Sequence, residues 1–218
     1  MPSRQASDYY SHSRRELLAY IPASPRTVLD VGCGCGAFGA ELRKRYPECR
    51  LHGIEMNVEA AREASATYEK VHRGDAVCIV GELARAGASF DTVFLNDIVE
   101  HLTDPPALLN SVRRLLKRTG CLIASIPNVR FWPVLWDLLK HGNWRYTDAG
   151  VLDRQHLRFF TQRSIQELFT MNGYGVDRIH GINAVPLPWK LRILTSVFHK
   201  AFTDTQYPQF AVVARRIE

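Results

Sequence analysis

Val28-Leu29-Asp30-Val31-Gly32-Cys33-Gly34-Cys35-Gly36 is a short apolar run that ends in three glycines at alternate positions. An apolar run rich in β-branched residues reads as a buried strand, and glycines directly after it let the backbone turn sharply with no Cβ between main chain and ligand. The next stretch places Ala37, Phe38, Leu42 and Tyr46 on one helical face, so a helix begins where the glycines end and aims its first N–H groups at whatever the turn holds. Strand, glycine turn and helix together make a nucleotide-type site.

Register narrows the choice of nucleotide. Gly34-Cys35-Gly36-Ala37-Phe38-Gly39 spells GxGxxG, the spacing of a dinucleotide site, which keeps a nicotinamide-dependent dehydrogenase as a competing reading. The turn itself, however, starts at Gly32. Asp30 sits two residues earlier, near the carboxyl end of the strand, where a carboxylate can help hold an ammonium group and would repel a pyrophosphate. The string VLDVGCGCG thus resembles motif I of the class I S-adenosylmethionine-dependent methyltransferases, which assigns Asp30, Gly32, Cys33, Gly34 and Gly36 to the cofactor site.

Further along, Arg50 to Ile54 reads as a second strand ending in Glu55-Met56. An acidic side chain about 20 residues beyond a glycine turn suits a ribose, because one carboxylate offers two oxygens to two hydroxyls. The resemblance then places Met56 against the adenine. Gly74-Asp75-Ala76 resembles the adenine-side motif of the same family, in which the acid bonds the exocyclic amine and the next backbone N–H bonds a ring nitrogen. A fourth strand, Phe90 to Leu95, leads into Asn96-Asp97-Ile98-Val99-Glu100-His101. Ligands in open parallel sheets lie outside the carboxyl ends of the strands, so Asn96 and Asp97 fall nearest the sulfonium. FDTVFLNDIVEHLTDP looks like motif IV of these methyltransferases, in the branch with Glu-His here.

The resemblance covers about residues 25–182 and implies an α/β, Rossmann-like, doubly wound seven-stranded sheet. That sheet is mostly parallel with its last strand antiparallel, and a helical insertion follows strand 5. At 218 residues and 46% hydrophobic composition the chain suits one domain, residues 1–218. Within it we expect an N-terminal cap helix over 1–24, its helical part running Tyr9 to Tyr20; the resemblance implies that Tyr9 or Tyr10 closes over the cofactor, and aromatic packing at the domain edge accounts for them equally well. An acceptor-side insertion over 129–160 and a basic amphipathic insertion over 183–206 complete it. The helix after strand 4 is expected to run from Pro105 through Leu116 with Arg113, Arg114, Lys117 and Arg118 outside, and strand 5 to start after Gly120. In the first insertion, Phe131 to Leu139 crowds apolar residues into one helix ended by Gly142, expected to cover the crevice and form much of the acceptor pocket. After His156-Leu157-Arg158-Phe159-Phe160-Thr161 comes an amphipathic helix with Thr161 as N-cap, a pattern resembling bacterial methyltransferases encoded near glycosyltransferases or in secondary-metabolite pathways.

Charge and cysteine content bound the partners. Residues 1–100 carry 12 Lys and Arg against 14 Asp and Glu, and residues 101–218 carry 16 against 8, so the second half is basic and would suit an anionic acceptor. A solvated basic face explains the same numbers. The stretch Pro188 to Phe202 could touch a membrane surface, although packing beside the insertion is the expected use. We see no RNA-binding module, and nucleic acid is not expected. Five scattered cysteines and the want of a signal-type apolar segment at the start fit reduced thiols in a cytoplasmic protein. The oligomeric state is not legible.

The expected reaction is methyl transfer from S-adenosylmethionine, leaving S-adenosylhomocysteine, to a small hydroxylated metabolite or sugar, with an amine as the other acceptor class. For a hydroxyl a base helps, and the catalytic candidates are His156, oriented by Asp153, then His101, with Glu100 beside it. Asp97, Glu100, His101 and His156 also resemble the acid, Glu-His and distant His with which terminal small-RNA 2′-O-methyltransferases hold a divalent metal, and ubiquinone-pathway O-methyltransferases carry a similar Glu-His. Metal-independent relatives share Glu-His, so no metal is expected. A metal-assisted RNA 2′-O-methyltransferase and a non-catalytic S-adenosylmethionine-binding subunit remain alternatives beside the dehydrogenase.

Overall fold

The computed structural model describes residues 13–188 and 202–217. Among these residues seven strands form one sheet: β1 (Thr27–Val31), β2 (Arg50–Glu55), β3 (Lys70–Arg73), β4 (Phe90–Asn96), β5 (Leu116–Pro127), β6 (Tyr174–Ile182) and β7 (Gln209–Arg216). Their order is β3-β2-β1-β4-β5-β7-β6. The first five pair in parallel, and β7 runs antiparallel to both β5 and β6. The chain therefore reverses its direction of winding between β1 and β4, the switch point at which ligands lodge in such sheets.

Among the described residues, six α-helices flank the sheet: α1 (Ala37–Arg45), α2 (Val58–Ala64), α3 (Ala76–Arg85), α4 (Pro105–Leu115), α5 (Trp132–His141) and α6 (Gln162–Met171). Successive side chains of a strand face opposite ways, and β1 is buried on both. Leu29 and Val31 pack with Val80 of α3, Leu108 and Val112 of α4, and Ile165 and Phe169 of α6. Val28, on the other face, packs with Leu17, Phe38 and Leu42 of α1, and Ala64 of α2. That two-sided burial is why the run reads as continuously apolar. The α6 terminus follows the expected chemistry, with Thr161 and Ser164 capping each other reciprocally.

Three expectations need correction, and a fourth falls mostly outside the described residues. Arg15–Tyr20 forms a 3-10 turn where the expected helix would be α-helical, and Tyr9 and Tyr10 lie outside the described residues. Helix α4 stops at Leu115, and Lys117 and Arg118 belong to β5. Lys117 bonds Asp91 at 2.9 Å there, and Leu116 pairs with Phe90, so sheet pairing wins over helical spacing. Helix α5 is where the apolar crowding predicts it, closed by left-handed Gly142, but none of its residues is buried and none lines the crevice. Most of Pro188 to Phe202 lies outside the described residues. Among the described residues, no helix is long and apolar enough to cross a membrane.

Candidate active site

The glycine turn is hung on the end of the neighbouring strand. Gly32 and Cys33 both donate their N–H to the Ile54 carbonyl, at 2.8 and 3.0 Å. Gly32, Gly34 and Gly36 all have positive φ, of 77°, 53° and 91°, a region that a side chain disfavours. Glu55 then faces this turn: one carboxylate oxygen accepts from the Gly34 N–H at 2.9 Å and the other from the Asn57 N–H at 2.8 Å. Two backbone donors thus fix the rotamer, and each oxygen keeps a further lone pair for a hydroxyl.

Asp30, 1% exposed, points into the same space. It receives the Tyr68 hydroxyl and, at 3.4 Å, the Asn96 amide. Burial pushes its carboxyl up to about 7, against the Tyr68 bond, and the Glu55 charge adds to the rise. Asn96 leaves its own Oδ1 buried without a partner. Tyr68 reaches Asp30 only because residue 39 is glycine: a Cβ there would lie 2.4 Å from the Tyr68 ring. Gly39→Val should therefore displace Tyr68 and destabilise the fold by about 1–3 kcal/mol, seen as a drop of several degrees in thermal denaturation. An unchanged melting temperature would show that the ring yields freely.

Asp97 takes a left-handed backbone, φ 53°, at the end of β4. Arg14 pairs with its carboxylate, Ser125 donates to it at 2.9 Å and Gln209 at 2.8 Å. Arg14 also donates to Gln209 at 3.0 Å, so the N-terminal segment is clasped across the strand ends. Burial raises the Asp97 carboxyl, while Arg14 pulls it back down.

Beyond Asp97 the insertion folds back onto the Val99–His101 3-10 turn. Leu157 and Arg158 both donate their N–H to the Glu100 carbonyl, at 2.8 and 3.0 Å, and this brings His156 beside Glu100. The Glu100 carboxylate is 1% exposed, and neither oxygen has a hydrogen-bond partner. Its nearest ionisable neighbour is His156 Nε2, 4.0 Å from Oε1. Burial, reinforced by the Asp97 charge, holds the Glu100 carboxyl well above the usual carboxylate range. His156 Nδ1 donates to the Val151 carbonyl at 3.0 Å, and His101 Nδ1 to the Gln155 carbonyl at 3.2 Å. In the neutral rings Nε2 is then the acceptor nitrogen. Burial and the neighbouring His156 lower the His101 pKa. Asp153 does not orient His156 as expected, since its carboxylate accepts from the Gln155 N–H instead.

These groups line one cavity of about 510 Å³. At one end are Met56, Asp75 and Ala76, with Asp75 also capping α3 through the Cys78 N–H. Gly32, Cys33, Gly34, Glu55, Asp30 and Asn96 occupy the middle, and Glu100, His101 and His156 the far end, with Ala149, Gly150 and Asp153 of the insertion. Every cofactor residue expected from sequence lines it except Gly36, which is the N-cap of α1 and whose Cβ would press on Ala64 Cα at 3.1 Å. Sequence reasoning missed Tyr68, Ser125, Gln209 and the role of Arg14. Only Arg14 and Tyr68 carried a signal, as a cation and an aromatic at the ends of segments flanking the turn.

A glycine turn at the switch point, a glutamate with lone pairs to spare on both oxygens and a buried acid beside an orphaned amide oxygen fit a nucleoside-amino-acid ligand in a Rossmann-like sheet. A family model described as a methyltransferase domain matches residues 3–179, and the chain belongs to that family, in the class I S-adenosylmethionine-dependent group. Among curated relatives, the malonyl-[acyl-carrier protein] O-methyltransferase of Hahella chejuensis is 35% identical over 101 residues, 46% of this chain and 36% of that protein. A ubiquinone biosynthesis O-methyltransferase of Cereibacter sphaeroides is 33% identical over 121 residues, 52% of this chain and 46% of that protein. The chain thus spans less than half the length of either. A solved S-adenosylmethionine-dependent methyltransferase from Archaeoglobus fulgidus shares the fold, with TM-score 0.65 at 20% identity, covering 97% of this chain and 94% of that one. S-adenosylmethionine is the cofactor of this class, and the cavity's donor set fits it.

Proposed function

We propose that the protein transfers the methyl group of S-adenosylmethionine to the hydroxyl oxygen of a small acceptor bound between Glu100, His101 and His156. The observation that carries this reading is the meeting, in one cavity, of a cofactor half centred on Glu55 and Asp30 with a buried acid–imidazole cluster held by Glu100's own carbonyl. Glu55 holds the ribose hydroxyls, Met56, Asp75 and Ala76 the adenine, and Asp30 and Asn96 the α-ammonium. The cofactor supplies the methyl carbon and a sulfur leaving group, and the acceptor oxygen displaces that sulfur in line. The chain then has to position the oxygen, exclude water and take its proton. His156 Nε2 is the group placed to take it, with its ring fixed by the Val151 carbonyl.

The acceptor wall favours an uncharged hydroxyl over an anion. Glu100 and Asp153 lie there, and among the described lining residues the only Lys or Arg is Arg14, already paired with Asp97. The O-methyltransferase names of both relatives support oxygen as the acceptor atom. Purified protein offered phenols, sugar hydroxyls, amines and carboxylates should methylate a hydroxyl acceptor, read by mass spectrometry. With that acceptor His156→Ala should lower kcat about 10²–10⁴-fold and leave S-adenosylmethionine affinity within a few-fold. Transfer to amines alone, or a kcat indifferent to His156, would overturn the assignment.

A further inference from the structure

Glu100 makes a demand that the chain around it does not meet. A carboxylate removed from water needs a partner for each oxygen, and an unpartnered one is strongly disfavoured. Both oxygens of Glu100 are buried and have none. Among the described residues that line the cavity, Arg14 is the only lysine or arginine, and Asp97 and Gln209 already hold its guanidinium. His156 Nε2, at 4.0 Å, is too far for a hydrogen bond and in the neutral ring is itself an acceptor. The charges of Asp97 and Asp153 face Glu100 as well, so this end of the cavity has an excess of acid. A ligand that settles there has to bring the donors, and a positive charge with them.

We propose that the acceptor carries a protonated amino group beside the hydroxyl that is methylated, and that Glu100 is the specificity-determining residue that receives it. This rests on the methyl-transfer reading and names its acceptor class, a vicinal amino alcohol. An ammonium has three N–H donors, enough for both carboxylate oxygens, whereas a second hydroxyl has one. Its charge favours the ionised carboxyl, which burial and the Asp97 charge otherwise oppose. A charge-assisted bond is also the stronger kind. The spacing of the two functions follows from the distance between the groups that receive them. Glu100 Oε1 and His156 Nε2 are 4.0 Å apart. An amine and a hydroxyl on adjacent carbons lie roughly 2.8–3.7 Å apart, from ordinary C–C and C–N bond lengths. One molecule therefore gives its ammonium to Glu100 and its hydroxyl proton to His156 together, and a lone amine or a lone hydroxyl serves only one of the two. The cofactor's own ammonium is assigned to Asp30 and Asn96, in the middle of the cavity, and leaves Glu100 free for the acceptor.

The test compares trans-aminocyclohexanol, its two groups on adjacent carbons, with the matching vicinal diol, and glucosamine with glucose. Binding to full-length protein saturated with S-adenosylhomocysteine is measured by calorimetric titration, and transfer from S-adenosylmethionine by mass spectrometry with fragmentation to place the methyl group. Each amino member should bind about tenfold or more tightly than its hydroxyl partner, as one hydrogen bond to a charged group implies, and should carry the methyl on oxygen. Glu100→Gln keeps the shape and removes the charge, and should abolish that preference while binding S-adenosylhomocysteine within a few-fold of wild type. Hydroxyl members that bind as well as their amino partners, no binding by either amino member, or a preference that survives Glu100→Gln would each overturn the assignment. So would a loss of S-adenosylmethionine affinity in Glu100→Gln that S-adenosylhomocysteine does not share, because the carboxylate would then belong to the sulfonium. Failure of wild type to bind S-adenosylhomocysteine, or transfer to the amino nitrogen, would instead overturn the reading of hydroxyl methylation.

Discussion

Glu55→Ala is expected to weaken S-adenosylmethionine and S-adenosylhomocysteine binding about 100-fold or more, measured by calorimetric titration. A hydrogen bond to a charged group contributes about 1.5–3 kcal/mol, and each 1.4 kcal/mol is about tenfold in affinity, so two ribose hydroxyls on one carboxylate account for that loss. The variant has a second consequence. Glu55 also holds the Gly34 and Asn57 N–H groups, so its loss frees the glycine turn as well as the ribose contact. Glu55→Gln separates the two: the amide keeps one acceptor oxygen and its shape, and the affinity should fall between wild type and alanine. Unchanged binding in Glu55→Ala would mean that the ribose lies elsewhere.

The second large effect is a proton linkage at Asp30. Burial raises this carboxyl from 3.8 to about 7, so below that pH the free protein carries it neutral. An ammonium group binds the ionised form, and binding must therefore expel a proton at low pH. Affinity for S-adenosylmethionine should fall about tenfold per pH unit below 7 and level off above it, an overall change of about 100-fold between pH 7 and 5. Tyr68, Glu55 and Cys33 are the titratable groups facing Asp30, and the Tyr68 hydrogen bond opposes the rise. Tyr68→Phe should accordingly shift the break in the profile to higher pH. Asp30→Asn should bind weakly with no break at all. The sign for stability is opposite to that for binding. A carboxyl whose folded pKa lies above its unfolded value favours the fold at low pH, and that contribution is lost as pH rises through about 7. Asp30→Asn should therefore melt higher than wild type at pH 8 and show little gain at pH 4. A wild-type affinity flat from pH 5 to 8 would show that Asp30 is ionised in the free protein or that the ammonium binds elsewhere.

Local spacing determined much of this molecule. The run Val28 to Gly36 specified a strand buried on both faces and a turn that only glycines adopt easily, because β-branched residues and positive φ are properties of single residues and their neighbours. Glu55 was legible from its distance beyond the turn, and Thr161 from capping chemistry that depends on adjacent residues. Proline, glycine and apolar crowding fixed α5 to within a residue.

Other features depended on contacts between distant segments. Lys117 reads as helical by period, yet it is a strand residue because Asp91 and Phe90 lie beside it. Tyr68 meets Asp30 across 38 positions through a gap left by Gly39, and Gln209 meets Asp97 across 112. No local pattern encodes such a pair, since each partner alone is an ordinary residue in an ordinary segment. The pairing of His156 with Glu100 is of the same kind: His156 looked dependent on Asp153, its neighbour in sequence. Backbone bonds from Leu157 and Arg158 to the Glu100 carbonyl decide otherwise. The sequence by itself thus determined the strand, the turn and most of the residues that line the cavity around them, whose placing is short-range. Only the tertiary structure decided the surroundings of Glu100, His101 and His156, because these side chains acquire their partners, or go without, through loops distant in sequence.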